Sequence, residues 1–182
     1  MMKINNQKTC RIQSANLNDL EAIYEIESLC FDKYDAFDNQ VFQYLLEKKD
    51  LFLVAKIEEN NELKNKIVGF IVVIQKANSK YEIVTLNVHP KWRNLGIGTS
   101  LLFEIEKYLS LNNSTESITR NQNDKISNKV FTIELMVYEK NEKAKSLYEK
   151  SGYKFVKLIK NYYKRNRNGI QMVKEINSLA KK

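Results

Sequence analysis

The chain has 182 residues, 43% of them hydrophobic and 10% aromatic, a globular composition and not a disordered one, which suits one domain with a sizeable core. No apolar run approaches the roughly 20 residues of a membrane span, and the opening "MMKINNQKTCRIQSA" lacks the apolar stretch of a secretory leader. The net charge of +8 is uneven: residues 1–60 hold 7 Lys and Arg against 11 Asp and Glu, whereas residues 140–182 hold 13 against 3.

A basic C-terminal third suits an anionic partner such as nucleic acid, the ribosome surface or a polyphosphate cofactor; a solvated basic face is the plain alternative. One histidine and two cysteines, Cys10 and Cys30, give no metal spacing. We expect reduced thiols, no metal, no membrane and a cytoplasmic location.

In chain order, "CRIQSA" reads as a strand. Asn16 or Asn18 can cap a helix with Leu20, Ile23, Ile26 and either Leu29 or Cys30 on one face. A second helical pattern covers Asn39 to Lys49. Leu51–Ile57 and Lys66–Lys76 are β-rich and joined by the polar "EENNELKN", a hairpin loop; Tyr81–Val88 is the next strand. A glycine turn follows, then a helix with Ile97, Leu101, Leu102, Ile105, Tyr108 and Leu109 at helical spacing. Residues 110–129 are polar and weakly patterned and are expected to be a loop insertion. Val130–Tyr138 is a strand, and Asn141 caps a helix with Ala144, Leu147, Tyr148 and Ser151 inward and Gly152 as its stop. Two closing strands flank "KRNRN". The order βααβββαβαββ implies an α/β (α+β) fold: a mixed, mostly antiparallel central sheet with helices on both faces, in one domain spanning residues 1–182.

The chemistry concentrates in "VTLNVHPKWRNLGIGTSLL" (Val84–Leu102). A strand running through a glycine turn into a helix is a phosphate-binding arrangement, because the free amides of the first helical turn and the helix dipole converge on one spot. Two familiar loops fit poorly. Gly98 is followed by Thr99 with no lysine between, unlike a Walker loop, and Leu101 stands where the dinucleotide fingerprint needs its third glycine.

"VHPKWRNLGIGTSLL" followed about 40 residues later by "NEKAKSLYEKSGY" resembles the GNAT acyltransferase superfamily. "NYYKR" and "IESLCF" look like its RimI-type branch and the archaeal and eukaryotic N-terminal acetyltransferase catalytic subunits. The resemblance covers about residues 10–176 and implies acetyl-CoA as cofactor. It places Leu86, Asn87 and Val88 along the acetyl-pantetheine arm, where backbone amides polarise the thioester carbonyl. It places Arg93, Asn94, Leu95, Gly96, Ile97, Gly98 and Thr99 at the pyrophosphate, and Asn141 with Ala144 on the far side of the cofactor.

The resemblance makes Tyr148 the general acid toward the departing thiolate; a core tyrosine is the alternative. RimI-like enzymes carry a Glu where this chain has Met136, a departure, since methionine accepts no proton. Related enzymes place a polar group 14 residues before the first turn glycine, which here is Glu82, acting as base directly or through water. Glu134 is the second candidate. Glu82, Val84 and Leu86 are expected on one strand face. Phe31, Tyr34, Tyr162 and Tyr163 are implied for the peptide pocket, and the two consecutive tyrosines are expected on opposite faces.

Catalysis needs a neutral amine. At pH 7 deprotonation costs roughly 1–1.4 kcal/mol for an α-amine and about 4.6 kcal/mol for lysine, so a site with one carboxylate suits protein N-termini. The alternatives are a lysine or small-amine acetyltransferase on the same fold, and a non-catalytic module that binds CoA, RNA or the ribosome.

Overall fold

The structure, a computed structural model, describes residues 2–4, 8–48, 51–59, 62–112 and 130–177. In order the elements are β1 (Met2–Lys3), β2 (Lys8–Ser14), α1 (Leu20–Cys30), α2 (Asn39–Glu47), β3 (Leu51–Glu59), β4 (Glu62–Ala77), β5 (Lys80–Val88), α3 (Ile97–Asn112), β6 (Val130–Tyr138), α4 (Glu142–Lys150), β7 (Lys154–Tyr163) and β8 (Arg167–Asn177). From β2 onward this is the expected order; β1 is an added strand. The eight strands lie in the sequence β1-β2-β3-β4-β5-β6-β8-β7. Every adjacent pair is antiparallel except β5 with β6.

Two cores explain the layering. On one face α3 and α4 cover the sheet, burying Ile97, Leu101, Leu102, Ile105 and Tyr148 against Ile71, Ile83, Ile133 and Leu135. On the other, α1 and α2 bury Ile23, Ile26, Phe42 and Leu45 against Phe52, Phe70 and Val72. The i, i+3, i+4 spacing that predicts each helix is the spacing that fills these cores. Three details differ. Tyr108 is half exposed and off the buried stripe of α3. Leu29 is likewise exposed, so Cys30 completes the α1 face. Strands β3 and β4 extend into the expected hairpin loop, where Glu58 pairs with Leu63 and Glu59 with Glu62.

The helix caps follow the sequence. Asn16 accepts from the Asn18 amide while Asp19 answers from three residues on, a capping box that opens a single 3-10 turn leading into α1. Asp38 caps α2 through Val41 N–H, and Asn141 caps α4 through Ala144 N–H. Ser110–Asn112, expected in the loop insertion, are the last residues of α3; the rest of that insertion, 113–129, lies outside the described residues. No helix among the described residues is long and apolar enough to cross a membrane.

Candidate active site

The site is built around an opening in the sheet. β5 pairs with β6 only from Lys80 to Ile83, against Thr132 to Leu135. Beyond Ile83 β6 continues along β8 as far as Tyr138, while β5 stays with β4 to Val88. From Val84 to Val88 the β6-facing edge of β5 therefore has no strand partner. Backbone donors and acceptors along such an edge need partners of their own, and an extended arm carrying amides can supply them.

A bulge sits at the same place. Thr85 is opposite Val72 and Ile83 opposite Val73, so Val84 has no partner on β4. The extra residue shifts the alternation. Ile83, Leu86 and Val88 pack on the α3 side, whereas Val84 packs with the α1 core. Asn87 donates to Glu27 of α1 and lies 3.1 Å from Thr85 Oγ1, which puts both side chains on the α1 side. The expectation that Glu82, Val84 and Leu86 share a face is thus corrected: Glu82 lies on the α1 side and Leu86 opposite.

At the open end, Gly96 adopts φ +77, the left-handed region where a side chain is strained. Asn94 is also left-handed, at φ 63. These angles swing the chain from the 3-10 turn Pro90–Trp92 into α3, whose first turn, with Ile97 buried and Thr99 exposed, follows directly. A Cβ on Gly98 would meet Leu147 at 3.2 Å and Leu86 at 3.6 Å, so that glycine lets α4 close against the end of β5. Arg93 lies against the strand end. Its Nε donates to Val88 O at 3.1 Å and an NH2 group to Cys30 Sγ at 3.1 Å, which folds the guanidinium back onto the strand end. Leu95 is exposed at the turn's tip. Asn141 Oδ1 is held by the cap at 3.2 Å from Ala144 N, and Ala144 packs against the α3-side core.

Tyr148 and Glu82 lie on opposite faces of the sheet. Tyr148 is buried on the α3 side, its ring edge-on to Tyr153 at 5.7 Å. Burial pushes its phenol well above the usual range, so it is protonated at neutral pH. Glu82 is one residue before the last β5–β6 pair, beside its register partner Glu134. Lys76 Nζ stands 3.0 Å from Glu82 Oε2, and that hydrogen bond and charge raise the Lys76 pKa. Glu134 accepts from Gln171 Nε2 at 2.9 Å. Met136 continues the same face of β6, since the odd-numbered residues Ile133, Leu135 and Val137 fill the opposite core.

Phe31 and Tyr34 are exposed in the loop between α1 and α2, and that loop meets the β7–β8 hairpin. Arg167 pairs with Asp35 and Asp32, and the Arg165 guanidinium lies 3.9 Å from the Tyr34 ring centre. Tyr162 and Tyr163 do not point apart. Their rings touch edge-on at 4.9 Å, because Asn161 takes φ 54 and the pairing with β8 slips between Ile159 and Tyr163. Tyr162 is exposed, and its phenol pKa is raised by burial and then by the Glu82 charge. Tyr163 is half-buried against Tyr138, its phenol raised mainly by burial. Sequence reasoning missed Lys76, Arg167 with its two aspartates, and Glu27. Glu27 had a signal: it is a charged residue on the apolar stripe of α1.

An open strand edge that runs into a glycine turn at a helix start can take an extended, amide-bearing arm and an anion. Comparison with known proteins identifies the family. Residues 48–155 match the Acetyltransferase (GNAT) domain family. An N-alpha-acetyltransferase of Sulfurisphaera tokodaii is 26% identical over 167 residues, covering 86% of this chain and 87% of its relative. The fold resembles that of the ribosomal-protein-S18-alanine N-acetyltransferase of Escherichia coli (TM-score 0.71, 21% identity, 96% of this chain and 97% of the other). It also resembles Ard1 of Thermoplasma volcanium (TM-score 0.73, 20% identity, 92% and 97%). With most of its length in the family match and the open sheet edge above the glycine turn, the chain belongs to the GNAT acetyltransferase family and is an acetyl-CoA-dependent acetyltransferase.

Proposed function

We propose that this enzyme acetylates the α-amino group of protein N-termini. The observation that carries the reading is the meeting of the α1–α2 loop with the β7–β8 hairpin on the Glu82 side of the sheet, through Arg167, Asp32, Asp35, Arg165 and Tyr34. This forms a walled approach lined by Phe31, Tyr34, Tyr162 and Tyr163, which suits an extended peptide end. The N-alpha-acetyltransferase relative supports the same substrate class.

Acetyl-CoA supplies an activated thioester. Asn87 and its neighbours on β5 orient that group, and Gly96, Gly98 and Thr99 receive the pyrophosphate. Glu82 takes the amine proton, directly or through one water, on the acceptor face. Tyr148, protonated and on the other face, donates to the leaving sulfur. One domain holds the whole machinery. Ribosome association fits the lysines exposed along the edge strand β7, Lys154, Lys157 and Lys160.

The test is CoA release with a panel of peptides bearing free N-termini, set against lysine peptides with blocked N-termini and against small amines. Turnover of free N-termini at least tenfold above the rest is expected. Preference for blocked lysine peptides or small amines overturns the substrate, and CoA binding without turnover of any amine overturns the catalytic reading.

A further inference from the structure

Glu27 takes no part in the chemistry above, yet it joins the parts of the site. It is fully buried on the apolar face of α1 beside Ile23 and Ile26. Its Oε1 accepts from the Phe37 backbone N–H at 3.1 Å, and its Oε2 from Asn87 Nδ2 at 2.5 Å. The same Asn87 nitrogen lies 3.1 Å from Thr85 Oγ1. Phe37 ends the loop that carries Phe31 and Tyr34, and Asn87 is on the open edge of β5. One carboxylate thus ties the acceptor loop to the cofactor strand from inside. The outer tie, Arg167 with Asp32 and Asp35, includes an aspartate 43% exposed and is screened by solvent.

An ionised carboxylate accepts at both oxygens, which matches two N–H donors. Once protonated, one oxygen carries a hydrogen and cannot serve the N–H that faces it. We propose that Glu27 is a positioning residue: ionised, it pins the acceptor loop to β5, and protonation releases the loop and weakens acceptor binding. Burial pushes this carboxyl up to about 7, against the opposing hydrogen bonds from Phe37 and Asn87, so the exchange falls at neutral pH.

Among the described residues, burial, the Phe37 N–H and Asn87 set the Glu27 carboxyl, with no cation beside them. On its own helix Glu27 acts on Cys30, whose thiol pKa is raised chiefly by burial, and Arg93 of the turn donates to that sulfur and not to Glu27. β5 presents neutral Asn87 and Thr85. β4 and α2 present apolar Phe70, Val72, Phe42 and Leu45. The loop presents the Phe37 N–H.

The inference rests on the loop being the acceptor wall, as proposed above. In the full chain, the Phe37 backbone amide and the Asn87 side-chain amide are followed by NMR from about pH 5 to 9. Over the same range kcat/KM is measured for whichever amine acceptor is turned over. Both resonances are expected to titrate together near neutrality. The slope of log(kcat/KM) should approach about 2 on the acid side, one proton on the amine and one on Glu27, with the second loss in acceptor KM and not in kcat. Glu27→Gln should abolish the titration and leave a slope of about 1. A Phe37 amide that does not titrate, or one that titrates while the wild-type slope stays near about 1, overturns the proposal, and both readings stand even if the variant does not fold. If another amine replaces N-terminal peptides as substrate, only the substrate reading fails, because the slope is read on that amine.

Discussion

At the residue scale, the division of labour between Glu82 and Tyr148 follows from which face each occupies. Glu82 stands on the acceptor face with Lys76 Nζ 3.0 Å from its carboxylate and Tyr162 and Glu134 beside it. Glu82→Gln should lower kcat/KM most on the acid side and recover as rising pH deprotonates the amine unaided. A pH–rate profile parallel to wild type would remove Glu82 from the chemistry and turn attention to Glu134. Tyr148→Phe keeps the ring against Tyr153 and removes one hydroxyl. Turnover should fall by about 10²-fold or more, with acetyl-CoA affinity changed little. Calorimetry and initial rates separate the two effects, and equal turnover would return Tyr148 to a packing role in the α3-side core.

At the element scale, what the sequence made legible was periodic, and what it hid was a break in period. The helices and strands are readable because their apolar spacing is the spacing that fills two cores. The glycine turn is readable because left-handed angles demand particular residues, and Gly96 at φ +77 meets that demand. The bulge at Val84 carries no such mark: valine suits a regular strand equally well, and only pairing with β4 exposes the extra residue. Asn161 at φ 54 reversed the expected geometry of Tyr162 and Tyr163 in the same way. The Arg167 tie to Asp32 and Asp35 spans more than a hundred residues and has no local signal. Arg167→Ala should raise peptide KM several-fold while sparing acetyl-CoA binding, because it loosens only the acceptor wall; steady-state kinetics with each substrate varied checks this. Gly96→Val tests the other wall. Forcing valine to this φ costs roughly 1–3 kcal/mol and disturbs the turn. Acetyl-CoA at 100 times its Kd stabilises wild type by about 2.7 kcal/mol; that thermal shift should vanish in the variant, and a retained shift would move the pyrophosphate elsewhere.

At the scale of the whole molecule, Glu27 sets function against stability. A carboxyl raised from 4.5 to about 7 binds its proton more tightly in the folded chain than in the unfolded one. Between those two values the folded state therefore holds more protons, and stability falls as pH rises through the window. This is opposite to the usual salt-bridged carboxylate, whose contribution is lost as pH falls. The whole difference, some 2.5 units at 1.36 kcal/mol each, is about 3 kcal/mol, a substantial part of a typical domain's net stability. The ionised form that holds the acceptor loop is thus the form that strains the fold. Glutamine at this position removes the charge and, like the protonated acid, keeps one acceptor oxygen for the two N–H donors. Glu27→Gln is accordingly expected to melt higher than wild type at pH 8 and close to it at pH 5, while losing the neutral-pH inflection in acceptor binding. Thermal melts of the two proteins across that range check the sign. A variant that is less stable at pH 8 than at pH 5 relative to wild type would mean that the ionised carboxylate is a net stabiliser, held by Phe37 and Asn87 more strongly than burial opposes it.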